Sequence, residues 1–392
     1  MRMLTQVLLR RGHSVDVISG PPYPHLPEGA RLIRLPSLDL HGTRHRARQW
    51  RWGYCRDPLS VAEFLSTWSG GFPEPWLFGR RLLAWLERLP DQAKNYDVIH
   101  DNQGLFSALI DIQQRELPLF ATLHHPVRRD LELQLAFEPK LSHRLLLHRW
   151  YRFLGMQDRT AVRLRRLVTV SAAAAEDWAE CTGIARERIR IIPNGVDLNR
   201  YLRTPGVAPE PGRLFALASA DAPYKGLDFL LNALALLRAD REFAHLHLVL
   251  LCNLNTRSRL HERIADLGLD GAVQVVQGLS DAAVVEQYCR AETVVVPSVY
   301  EGFGLPLIEA MACGAAVVTT SGGALGEVAG EACEVVAPGD ADALVRGVRR
   351  VLGDAAYRTE LRRRAPERIA EHYSLERMGE RYESWYLEEL GR

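Results

Sequence analysis

The chain has 392 residues, room for two domains at roughly 150 residues each. Hydrophobic residues make up 47% and charged residues 25%, which excludes a disordered, collagen-like or coiled-coil chain. Forty-nine basic against 48 acidic residues leave a formal charge of +1, so the overall charge does not call for nucleic acid, and no apolar run reaches the ~18 residues of a membrane-spanning helix.

Residues 1–13 read as a helix with Gly12 as its C-terminal cap. A doubly wound domain normally opens with a strand, then a glycine-rich turn, and only then a helix. That first strand lies in the middle of such a sheet, so its absence is expected to leave two interior strand edges without partners. We therefore expect the natural protein to start upstream of Met1. Strand-like β-branched runs follow at 14–18, 30–35, 97–100, 119–123 and 166–170. A Pro/Gly-rich stretch from Thr204-Pro205-Gly206 to Pro211-Gly212 reads as a linker. The pattern then restarts, with strands at 213–218, 247–252, 273–276, 293–296, 316–319 and 334–337. Helical stretches at 227–237, 258–267, 282–290 and 305–313 separate them.

The expected architecture is α/β: two Rossmann-like doubly wound domains, 1–198 and 199–372, facing across a cleft. Residues 373–392 form an amphipathic tail helix carrying Trp385 and Tyr386, which either caps its own domain or crosses back to the first; periodicity leaves both open. The six cysteines (55, 181, 252, 289, 313 and 333) are scattered, with no close pair suited to zinc or thiol redox work, and read as reduced thiols of a cytoplasmic chain. Only Lys94, Lys140 and Lys225 are lysines; among so many arginines a lysine either survives by chance or marks a place that needs a compact ammonium.

The densest chemical signal runs from Val299-Tyr300-Glu301-Gly302-Phe303-Gly304 through Leu305-Pro306 and Glu309 to Gly314. A buried strand ends at Pro297, a glycine-bearing turn follows, and a helix opens near Leu305 with Pro306 in its first turn. Glycines let a ligand approach the backbone, and the amides at the helix start favour a phosphate. Glu301 and Glu309, eight positions apart, suit a molecule that combines phosphates with sugar hydroxyls. Taken alone, the block fits equally an ordinary strand–turn–helix with a capping Glu301 and a solvated Glu309.

The surroundings tip the balance. The block resembles the nucleotide-sugar signature of glycosyltransferase family 4, retaining transferases of the GT-B fold. Further resemblances come in the family's order: Thr122-Leu123-His124 with its cleft histidine, Val168-Thr169-Val170-Ser171 with its strand before the interdomain link, and Asn194-Gly195-Val196-Asp197 with its first-domain end. Tyr224-Lys225-Gly226-Leu227 resembles its lysine–glycine element, and Ser321-Gly322-Gly323 with Glu327 its later glycine pair. The resemblance covers nearly the whole chain, from Val7 to about Tyr386.

It implies transfer of a sugar from a UDP- or GDP-linked donor to an acceptor hydroxyl, with retention of configuration and without a metal, in agreement with the absence of an Asp-x-Asp pair suited to a metal–diphosphate site. Carried over residue by residue, it implies that Lys225 pairs with the diphosphate and that Glu309 accepts the ribose hydroxyls. Glu301 would hold the transferred sugar, with backbone amides from Gly302 and Phe303 through Gly304 to Leu305 receiving sugar and phosphate oxygens. His124 would face the donor sugar from the other domain. His125 is its rival, and strand alternation points the two in opposite directions. No cofactor is implied beyond the sugar nucleotide. The acceptor, a glycan, lipid or small molecule, is not disclosed, and nucleic acid is not expected.

Two departures support a catalytically impaired relative that binds nucleotide or carbohydrate without turnover. Ala220 stands where the family has an arginine sharing the diphosphate, and the first strand with its glycine-rich turn is missing. Retention of Lys225, Glu301 and Glu309 opposes that reading. A sugar-nucleotide epimerase on the same fold is a third, weaker alternative. Two basic segments with interleaved aromatics, from Arg44 to Trp52 and from His143 to Arg166, suit either a solvated helix face or an anionic membrane surface. The latter would place the protein peripherally at the inner face of the cell membrane.

Overall fold

The computed structural model describes residues 2–40, 50–88, 95–218, 222–253 and 259–392. The chain divides into two compact units. The first comprises Met1–Val170, Ala175–Ile192 and Gly379–Arg392; the second comprises Ser171–Ala174 and Pro193–Met378.

The first unit opens with helix α1 (Arg2–Arg10), which turns out through Gly12 in the left-handed region at φ 87°. Strands β1 (Asp16–Ser19) and β2 (Arg31–Arg34) pair in parallel as a separate ribbon. Strands β3 (Ile99–Asn102), β4 (Leu119–Leu123), β5 (Leu167–Thr169) and β6 (Ile189–Ile191) form a four-stranded parallel sheet in that order. Among the described residues β1 and β3 are not paired with each other, so each shows an edge. All five residues of β4 are buried, as both faces of a parallel sheet are covered. Helices α2 (Pro58–Trp68), α3 (Glu74–Arg88) and α4 (Ala108–Gln114) belong to this unit, with α5 (Val127–Phe137), α6 (Leu141–Trp150) and α7 (Leu154–Arg163). Helix α8 (Ala172–Thr182) starts among residues grouped with the second unit.

The second unit contains one parallel sheet of six strands in the order β12-β11-β10-β7-β8-β9. These are β7 (Glu210–Leu217), β8 (His247–Leu251), β9 (Val273–Val276), β10 (Ala291–Val296), β11 (Val317–Thr320) and β12 (Glu334–Val336). Strand β7 starts inside the stretch read as a linker. Pro211 and Gly212 are accommodated at an irregularity in the β7–β10 register, where the Gly212 amide donates to Glu292 Oε2 at 2.6 Å. Chain order reverses between β7 and β10, and ligands of open α/β sheets lie beyond the carboxyl ends of the strands at such a switch point. Helices α9 (Leu227–Arg238), α10 (Leu260–Asp266), α11 (Asp281–Arg290), α12 (Leu305–Ala312), α13 (Leu325–Ala329), α14 (Ala341–Gly353) and α15 (Ala355–His372) complete the unit.

The last helix, α16 (Leu375–Leu390), leaves the second unit after Met378 and ends in the first. Gly379 permits the approach: a Cβ there would lie 2.4 Å from Val7 Cγ2. Trp385 and Tyr386, 2% and 7% exposed, pack edge-on against Phe120 of β4 with ring centroids 4.9 Å apart. Beside them, Tyr386 and Thr122 hydroxyls bond the two ring nitrogens of His100 at 2.8 and 2.7 Å, and Tyr382 bonds Thr122 at 3.1 Å.

Burial, with a smaller push from His124, lowers the His100 pKa from its ordinary 6.5 to about 3. A histidine held neutral in the fold is protonated first in the unfolded chain, so the stability it secures is present near neutrality and is lost as pH falls from 6.5 towards 3. His100 should cost the fold roughly 1–2 kcal/mol by pH 5. Thermal melts of His100→Gln are expected to show a flatter stability–pH curve across that window than wild type. Parallel curves would refute the assignment.

Candidate active site

The second unit gathers the signature residues at the β7–β10 switch point. Beyond β7, the single-turn 3-10 helix Pro223–Lys225 leads into Gly226, which starts α9 at φ 76°. A Cβ on Gly226 would lie 1.9 Å from the Pro297 carbonyl oxygen, so only glycine lets this turn sit on the end of β10. The Val299 amide donates to Tyr224 carbonyl oxygen at 2.8 Å and fastens the two loops. From the other side, Cβ atoms on Gly322 and Gly323 would each lie 2.2 Å from a carbonyl oxygen, of Val299 and Glu301 respectively. The Ala324 amide donates to Glu301 carbonyl oxygen at 2.9 Å. The loop after β10 is thus gripped by three glycines.

That grip aims the side chains. Lys225 Nζ donates to Glu301 Oε1 at 2.8 Å, and Ser298 Oγ donates to the same oxygen at 2.9 Å. The lysine side chain is 29% exposed and the glutamate 15%, so the pair is reachable but partly desolvated. The ammonium also lies 5.3 Å from the centre of the Tyr224 ring. Gly304, at φ 97°, caps α12, and its carbonyl oxygen accepts from the Leu307 and Ile308 amides at 3.1 and 3.3 Å. Phe303 is buried against Tyr373, with ring centroids 5.9 Å apart. The Gly302 carbonyl oxygen accepts from Ser171 Oγ at 2.8 Å, and Glu327 caps the Ala172 and Ala173 amides.

Glu309, one turn into α12, is half-buried rather than solvated. Tyr288 donates to its Oε2 at 3.2 Å, and Tyr201 also bonds the carboxylate. Burial raises the pKa of Glu309, and the two tyrosine hydroxyls offset part of that rise. An ionised carboxylate offers about four acceptor positions, so two tyrosines leave about two for a ligand. Neither tyrosine belongs to a motif, and nothing in the sequence flags them: Tyr201 follows the first-domain end, and Tyr288 lies on the inner face of α11.

In the first unit His124 follows β4. Its Nε2 pairs with Asn102 Oδ1 at 3.1 Å and its amide donates to Gln103 Oε1 at 2.7 Å. His125 turns the other way, to Asp130 Oδ2 at 3.0 Å, consistent with strand alternation. Burial lowers the His124 pKa to about 4, so its imidazole is neutral at physiological pH. Asn102 and Gln103, at the carboxyl end of neighbouring β3, escaped the sequence reading. Their signal was position, since strand ends are where α/β sheets place ligands. Gln103 Nε2 also donates to the His125 carbonyl oxygen at 2.7 Å, so one side chain clamps both histidines' backbone. Gln103 and Leu105 both hold positive φ, 62° and 46°, and burial lifts the neighbouring Asp101 carboxyl to about 6.

Other sequence expectations fare unevenly. Ala220 and the basic run at 44–48 lie outside the described residues. All six cysteines are free thiols, but Cys289 and Cys313 do form a close pair, hydrogen-bonded to each other and buried at 5% and 1% exposure. Their separation in sequence hid a contact made when α11 and the end of α12 pack side by side. Among the described residues no helix is long and apolar enough to cross a membrane.

Comparison with known proteins gives this geometry its relatives. The chain is 38% identical over 356 residues to an MMP α-(1→4)-mannosyltransferase of Mycolicibacterium hassiacum, covering 90% of this chain and 84% of that protein. Its fold is similar to sucrose-phosphate synthase from Thermosynechococcus elongatus, with a TM-score of 0.70 at 21% identity over 99% of this chain and 92% of the other. It is also similar to Anabaena HepE solved with UDP and glucose, with a TM-score of 0.67 at 17% identity over 98% and 95% of the two chains. Both neighbours support the GT-B architecture expected from the sequence. The profile described as Glycosyltransferase Family 4 matches residues 1–200, and that described as Glycosyl transferases group 1 matches 202–368. The chain therefore belongs to glycosyltransferase family 4.

Proposed function

We propose that this glycosyltransferase moves a hexosyl group from a UDP- or GDP-linked donor to a hydroxyl of a glycan, lipid or small-molecule acceptor, with retention and without a metal. The observation that carries the reading is the Lys225–Glu301 contact of 2.8 Å at the mouth of a glycine-gripped loop, one helix turn before Glu309. Lys225 would receive the diphosphate, supplying the charge a metal would otherwise bring. Glu309 would accept the ribose hydroxyls with its remaining acceptor positions, and Glu301 Oε2 a hydroxyl of the transferred sugar. Amides of Phe303, Gly304 and Leu305 would take sugar and phosphate oxygens.

In the reaction the anomeric carbon–phosphate oxygen bond breaks and a bond to the acceptor oxygen forms on the same face. The acceptor proton passes to the departing phosphate, so the products are the glycoside and a nucleoside diphosphate. No protein nucleophile is needed. His124, neutral and fixed by Asn102, would bond a sugar hydroxyl without adding charge. The name of the Mycolicibacterium relative specifies a mannosyl group and an α linkage, which supports trying mannosyl donors first and fits retention from an α-linked donor.

The test is a transfer assay with UDP- and GDP-sugars in chelator, alongside calorimetry of Glu309→Gln. Product should form with the anomeric configuration of the donor. The variant should bind nucleotide about 10- to 100-fold more weakly, the equivalent of roughly 1.5–3 kcal/mol for a hydrogen bond to a charged group. Because burial raises the Glu309 pKa, wild-type affinity should fall on acidification earlier than an ordinary carboxylate would dictate, and Glu309→Gln should remove that dependence. Inversion of the product, or unchanged nucleotide affinity in the variant, would contradict the proposal.

A further inference from the structure

Helix α6 is ten residues long and none of them is buried. Leu141, Leu145 and Leu146 are 72%, 63% and 54% exposed, and the first two share a face one turn apart. Leu146 reaches the turn that ends α2: a Cβ on Gly70 would lie 2.7 Å from its Cδ1. On α2, Leu65 and Trp68 are three positions apart and 52% and 62% exposed. The two helices are fastened there, with Arg149 donating to Ser69 Oγ at 2.7 Å and the Phe72 and Trp150 rings 5.0 Å apart. Side chains of this size, exposed on two helices that are fastened together, mark an interaction surface in a folded protein.

Charge identifies what covers it. From residue 139 to 157 there is no acidic residue, while Lys140, Arg144, Arg149 and Arg152 all lie in that stretch with His143 and His148. Glu138, just before this stretch, accepts from the Lys140 amide at 2.9 Å and pairs with His143 Nδ1 at 3.2 Å. Arg144 and Arg149 are drawn inward, to the Leu135 carbonyl oxygen at 2.6 Å and to Ser69, leaving exposed Lys140 and Arg152 at the rim. A second copy of so basic a face would repel it. A glycan would need flat rings to stack on, and most of these side chains are leucines. Leucines and one tryptophan inside a basic rim match the boundary between headgroups and acyl chains.

We propose that the α2–α6 face of the first unit docks on an anionic phospholipid bilayer. Apolar side chains enter the acyl boundary and the basic rim meets lipid phosphates. Docking makes no demand on the donor site, so it stands or fails separately from the transfer reaction.

Flotation of the full chain tests it, with phosphatidylcholine–phosphatidylglycerol vesicles against pure phosphatidylcholine at low salt. Wild type should float with the anionic vesicles and much less with the neutral ones, and high salt should weaken the binding. Leu141→Gln with Leu145→Gln should lower binding about tenfold or more. Lys140→Gln with Arg152→Gln should lower it about fivefold per charge. All four positions are exposed, so thermal melts should stay within about 2 °C of wild type. The proposal is overturned if wild type ignores anionic vesicles at low salt, or if both double variants float as well as wild type. It is equally overturned if sedimentation shows a concentration-dependent dimer that the leucine variant abolishes, with no lipid binding; the occupant is then a second copy.

Discussion

Lys225→Ala should lower turnover about 100- to 1,000-fold while weakening nucleoside diphosphate binding by about tenfold or less. The split follows from where charge develops. In the ground state the donor's diphosphate is already solvated and shared among several donors, whereas in the transition state the breaking bond concentrates negative charge on the leaving oxygen. An ammonium held 2.8 Å from Glu301 and only 29% exposed is placed before the reaction and needs little reorganisation. The substitution removes no buried apolar group, and Glu301 keeps its bond from Ser298, so the melting temperature should change little. Arginine should restore only part of the rate, since a planar fork does not fill the place of a compact ammonium beside the Tyr224 ring. Steady-state kinetics with calorimetry on the same preparation measure both numbers. Equal losses in rate and affinity would assign Lys225 to plain binding.

Gly226→Ala is expected to be the most damaging change of a single methyl group. The new Cβ would fall 1.9 Å from the Pro297 carbonyl oxygen and 2.6 Å from its carbon, both rigid backbone, in a residue held at φ 76°. The left-handed conformation costs about 1–2 kcal/mol for any residue with a Cβ, and overpacking against backbone about 1–3 kcal/mol more. For a unit of this size that corresponds to a fall in melting temperature of about 5–15 °C. Gly268→Ala is the matched control: it sits at φ 65° with nothing within 4 Å of its Cβ, so it carries the conformational cost alone. The Gly226 variant should also lose nucleotide binding, because relief of the clash moves the loop that carries Glu301; the control should not. Similar losses in both variants would show that Gly226 matters only for its backbone angle.

The glycine grip explains how much of the site could be read from the chain. Lys225, Glu301 and the Gly322–Gly323 pair each lie in a loop directly after a strand, and a parallel sheet lines up such loops at one end whatever the rest of the fold does. Their spacing along the chain therefore maps onto nearness in space. Tyr201 and Tyr288 escaped because they reach Glu309 across a packing contact that leaves no periodic trace. Asn102 and Gln103 escaped because β3 shows only weak alternation, all four of its residues being half-buried. The three-residue strand β6 was missed for its length: one of its residues is buried, too few to display a pattern. Pro211 and Gly212 read as linker by composition, yet a strand runs through them because an irregular register absorbs both. The tail helix had an apolar face but no sequence feature naming its partner; Phe120 and Val7 supply it in three dimensions.

The loop after β10 and the turn after β7 are proposed together to hold a nucleoside diphosphate. Titration of GDP and UDP into the wild-type chain in the presence of chelator, repeated with a Lys225→Ala/Glu309→Gln double variant, tests it most directly. One metal-independent site is expected for at least one of the two nucleotides, with its loss in the double variant while the fold stays intact. Undiminished binding in that variant, or binding by wild type only when a divalent metal is supplied, would contradict it.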